Sequence, residues 1–181
     1  TELTKLTSFE KLEGNTEDIG DGTTLTLSGE TLSTITEFIV DANTSADADE
    51  AIFAITNLDD ADTITVKSAG SDTTQLADGV TLTGTFTVDG SDDSLTLNLD
   101  GIGGASGNAS TDSGIAEITL DSVENLTIDS DANKAATVVT NYVETLSIDQ
   151  AVSATITGNR DVTFSAWDNT TALKTLDMST T

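Results

Sequence analysis

Apolar and polar residues alternate along most of this chain with a period of two. Thr24-Leu25-Thr26-Leu27, Thr63-Ile64-Thr65-Val66 and Val80-Thr81-Leu82-Thr83 show it. Thr85-Phe86-Thr87-Val88, Leu95-Thr96-Leu97-Asn98-Leu99 and Ala154-Thr155-Ile156-Thr157 continue it. That period places successive side chains on opposite faces of a strand, one face buried and the other wet. Threonine is the commonest residue, and its β-branch suits a pleated surface while disfavouring helix. Clusters of Gly, Asp, Asn and Ser separate the runs, as turns require. Helical stretches are confined to two weak candidates, Ala46 to Phe53 and Asn133 to Val139. The pattern predicts an all-β protein.

A repeat sharpens this. Val123-Glu124-Asn125-Leu126-Thr127-Ile128-Asp129 recurs 20 residues later as Val143-Glu144-Thr145-Leu146-Ser147-Ile148-Asp149, differing only at the third and fifth positions. Ile35 to Asp41 and Ile115 to Asp121 fit the same template, and Leu173 to Met178 fits its apolar positions. Self-similar strands at short intervals predict a parallel β-solenoid, in which each turn buries its apolar residues against its neighbours. A turn of about 20 residues would place Leu126 over Leu146 and Ile128 over Ile148. The reading divides the chain into residues 1–100, an irregular β region with acidic loops, and residues 115–181, solenoid repeats of about 20 residues. Residues 101–114, rich in Gly, Ser and Asn, form a loop or boundary between them. A β-sandwich is the alternative for the N-terminal part. Both ends of the sequence stand in mid-pattern, so a segment of something larger is expected.

Charge changes the picture next. Against 32 Asp and Glu stand 6 Lys and Arg, a net charge of −26. Nucleic acid is excluded as a partner, because phosphate binding needs a basic footprint. No apolar run is long enough for a membrane-spanning helix, so no membrane insertion is expected. With 36% hydrophobic residues in a regular pattern, the chain is expected to fold despite a charge typical of disorder. There is no Cys, His or Pro, which removes disulfides, Cys/His metal sites and Cys/His nucleophiles. Carboxylate pairs arise everywhere by chance, so no catalytic pair stands out and the chain reads as no enzyme.

Clustered carboxylates suit Ca²⁺, a hard cation that takes oxygen ligands. The candidate ligands are Asp41 and Asn43; Asp47 and Asp49; Asp59, Asp60 and Asp62; Asp89, Asp92 and Asp93; and Asp129, Asp131 and Asn133. The last group begins like an EF-hand loop, then fails at Lys134 and Thr140. A solvated, solubilising surface is the competing reading of each turn. Arg160, the sole arginine, is read as a salt bridge to Asp161 or to a neighbouring rung. Trp167 is either a sugar platform or a cap on the core.

The motif Val-Glu-x-Leu-x-Ile-Asp at 123 and 143 resembles repeats of bacterial surface-layer proteins exported by type I secretion, the RTX-linked group. Ile55 to Val66 and Ala172 to Ser179 share the style. Large RTX adhesins and extracellular matrix proteins are similar too. The glycine-rich RTX nonapeptide itself is absent from this sequence. The resemblance implies a calcium-stapled solenoid in a surface layer or matrix outside the cell. Its partners would be other copies in a lattice or filament, with cell-surface polysaccharide as a further candidate. A spacer or ligand-binding module of a secreted adhesin is the alternative.

Overall fold

A computed structural model describes residues 10–15, 23–29, 34–41, 51–67, 80–86, 90–102, 115–131, 140–168 and 173–178. Among the described residues thirteen strands follow one another: β1 (Lys11–Asn15), β2 (Thr24–Ser28), β3 (Glu37–Asp41), β4 (Ile52–Leu58), β5 (Asp62–Lys67), β6 (Thr81–Phe86) and β7 (Ser94–Asp100). Then come β8 (Ile115–Asp121), β9 (Asn125–Asp131), β10 (Thr140–Ser147), β11 (Ser153–Gly158), β12 (Asp161–Asp168) and β13 (Thr175–Met178). The odd-numbered strands form one seven-stranded sheet and the even-numbered strands a six-stranded one, each in chain order. Every neighbouring pair is parallel. The chain is therefore a parallel β-solenoid with two strands per coil. The sandwich alternative for the N-terminal part fails, because β1 to β7 pair parallel with strands two places away, not antiparallel with consecutive ones. Across residues 101–114, β7 pairs β9 and β6 pairs β8, so both sheets run on without a break.

The alternation does what it predicts. In the odd sheet Leu12, Phe38, Ile64, Leu97, Ile128, Ile156 and Met178 stack in one register column. In the even sheet Leu25, Phe53, Leu82, Ile118, Leu146 and Trp167 do the same. Phe38, Ile64, Leu97, Ile128, Phe53, Leu82, Ile118 and Leu146 are wholly buried between the sheets. No single coil owns a core; each apolar side chain packs on the rung above and below.

The coil length is corrected. Leu126 pairs with Leu95 and Ala154, not with Leu146, and Ile128 pairs with Leu97 and Ile156, not with Ile148. One full coil spans 28 residues from Leu126 to Ala154. Elsewhere it ranges from 21 residues (Leu146 to Trp167) to 36 (Leu82 to Ile118). The 20-residue motif is half a coil: its first copy enters β9 and its second forms β10, on the opposite sheet. Both sheets face one core, so both need the same alternation, and sequence similarity alone cannot tell a half coil from a whole one.

No described residue belongs to an α-helix; Ile52 and Phe53 of the first helix candidate open β4, while its residues 46–50 and Asn133 to Val139 lie outside the described residues.

Candidate functional site

The acidic turns that read as one population separate into two edges of the odd sheet. At its entry edge, the turns before β5, β7 and β9 lie over one another. Asp59 N–H donates to Asp62 Oδ2 (2.9 Å), closing the turn around Ala61, whose φ of +69° is left-handed. Asp60 Oδ1 accepts from both the backbone and the hydroxyl of Ser94 on the next coil (3.0 and 2.5 Å). Asp92 Oδ1 accepts from Asn125 Nδ2 (2.9 Å), and Asn125 Oδ1 from Ser153 Oγ (2.8 Å). Asp93 Oδ2 accepts from Gly90 N–H, and Asp93 N–H donates to Glu124 Oε2 (2.9 Å). A ladder of side-chain bonds thus climbs the corner from coil to coil.

These contacts set the electrostatics. The Ser94 hydroxyl and amide hold the Asp60 carboxyl below its ordinary range. Asp62 is buried, and loss of hydration pushes its carboxyl up, with the charge of Asp59 adding to the rise.

At the exit edge, Asp41, Lys67, Asp100 and Asp131 stand in one register column at the ends of β3, β5, β7 and β9. Lys67 Nζ meets Glu13 Oε1 (2.6 Å) and Asp41 Oδ2 (3.7 Å), tying three strands, and the Glu13 hydrogen bond raises the lysine above its ordinary value. Asp129 and Asp131 do not begin a loop; both lie on β9. Asp129 Oδ1 accepts from Thr157 Oγ1 (3.3 Å) and Asp131 Oδ1 from Asn159 N–H (3.0 Å).

Of the predicted ligands, the structure therefore brings Asp59, Asp60, Asp62, Asp92 and Asp93 to one corner and places Asp41, Asp129 and Asp131 on the other side. Asn43, Asp47, Asp49, Asp89 and Asn133 lie outside the described residues. Among the described residues no three acidic side chains converge as a metal cage. Asp60, Asp62, Asp92, Asp93, Asp129 and Asp131 each accept a hydrogen bond from the chain itself through one carboxylate oxygen.

The C-terminal end offers a different surface. Burial fades there: Leu176 and Met178 lie in core columns yet are 48% and 67% exposed. With Ile156, Val162, Phe164 and Trp167 they line a groove of about 650 Å³, with Arg160 at its wall. Phe164 and Trp167 meet edge to face, centroids 5.2 Å apart. Arg160 forms no ion pair among the described residues; it donates to the Asn159 carbonyl (3.2 Å). Trp167 is partly buried against the core, and its buried indole nitrogen has no hydrogen-bond partner among the described residues.

No protein-family model, curated protein or solved structure matches the chain.

Sequence reasoning missed the most connected polar side chain among the described residues. Asn141 is wholly buried where β10 begins; its Oδ1 accepts Ile102 N–H (2.6 Å). Its Nδ2 faces the Leu99 carbonyl, Ser130 Oγ and the Asp131 carbonyl at 2.9–3.0 Å. The signal was weak but present: Asn141-Tyr142-Val143 interrupts the alternation, and all three are buried.

Proposed function

We propose that this chain is a structural protein of a bacterial surface layer or extracellular filament, outside the cell and without enzymatic activity, self-assembling through β-rich subunits. The observation that carries this reading is the parallel two-sheet solenoid, the fold implied by the likeness of the Val-Glu-x-Leu-x-Ile-Asp motif to surface-layer repeats. Ca²⁺ would bridge the acidic loops, including those of neighbouring copies. A net charge of −26 makes neighbouring copies repel, and a divalent cation shared by carboxylates of two copies would offset that.

Light scattering with electron microscopy, in Ca²⁺ and then in excess chelator, tests this. Ordered sheets or filaments that form with Ca²⁺ and dissolve on chelation are expected. Assemblies that persist in chelator remove the cation from the account, and a folded monomer in both conditions removes self-assembly.

The second reading is a ligand-binding module of a secreted adhesin, favoured by the groove that Trp167 and Arg160 line. A polysaccharide of the cell surface would be its ligand. Loss of glycan binding in Trp167→Ala, with the fold intact by circular dichroism, would establish it.

A further inference from the structure

We draw no further inference here: the strongest candidate, the groove at β11, β12 and β13 lined by Phe164, Trp167, Leu176 and Met178, belongs to the site already described, and nothing in the structure shows what covers it.

Discussion

The side-chain carbonyl of Asn141 accepts the backbone N–H of Ile102 across the interior of the solenoid, 2.6 Å away. The same carboxamide faces acceptors on β7 and β9, so one side chain joins the ends of β7 and β9 to the start of β10 at a corner where the ladder leaves backbone groups over. Asn141→Leu removes all of these partners at once. Buried backbone groups left unsatisfied cost about 1–3 kcal/mol each. We expect a loss of at least 2 kcal/mol by that reasoning, read as a lower denaturant midpoint.

Gly158 closes the exit corner of β11 with φ +113°, and a Cβ there would lie 2.1 Å from the Ser130 carbonyl oxygen. Both the conformation and the space exclude a side chain. Gly158→Ala should cost more than about 1 kcal/mol, whereas Gly84→Ala meets Leu120 Cδ2 at 2.9 Å, a side chain able to yield. Thermal melts of the two variants should rank them in that order.

Leu97 lies wholly buried between Ile64 and Ile128. Leu97→Ala should destabilise by about 2–5 kcal/mol, the range for a core truncation. Met178 stands in the same column but is mostly exposed, so Met178→Ala should change stability by under about 0.5 kcal/mol. Equal losses at both positions would mean that the column does not end at β13.

Burial raises the Asp62 carboxyl, so its ionised form costs stability at neutral pH. That cost fades as pH falls through the raised folded value and is gone below the ordinary 3.8. Asp62→Asn keeps an acceptor for Asp59 N–H and removes the charge. It should be more stable than wild type at pH 7, with the difference vanishing below pH 3.8. Asp60 behaves oppositely: its stabilisation is present above 3.8 and lost as pH falls through its lowered value. Denaturation midpoints across that range separate the two.

Lys67 is raised by Glu13 and Asp41. Its contribution is fully present below the ordinary 10.5 and is lost as pH rises through its higher folded value. Lys67→Met leaves the buried Asp41 without this counter-charge and should cost about 1–3 kcal/mol at pH 7. The deficit against wild type should shrink at strongly alkaline pH.

Much of this architecture was legible in the chain. Alternation such as Leu95-Thr96-Leu97-Asn98-Leu99 assigns each side chain to a face because the strand period is two, whatever the partner strand. The likeness of residues 123–129 and 143–149 announced a stacked fold. It misled about the coil, because strands on opposite sheets obey the same rule when they enclose one core. Which strand lies beside which is a non-local fact, settled by the lengths of the intervening turns and by packing on neighbours far away in sequence.

The acidic turns show the same division. Their composition dictated polar corners rich in carboxylate, since Asp and Asn satisfy turn backbones locally. Nothing local in Asp59-Asp60-Ala61-Asp62 tells that Asp60 will bind Ser94 one coil on while Asp62 turns inward and loses water. Alternation and charge follow from residue type and strand period, and so were readable in the chain. Register, the bonds across coils and the open columns at Leu176 and Met178 depend on where other rungs come to rest, and only the folded solenoid decides them.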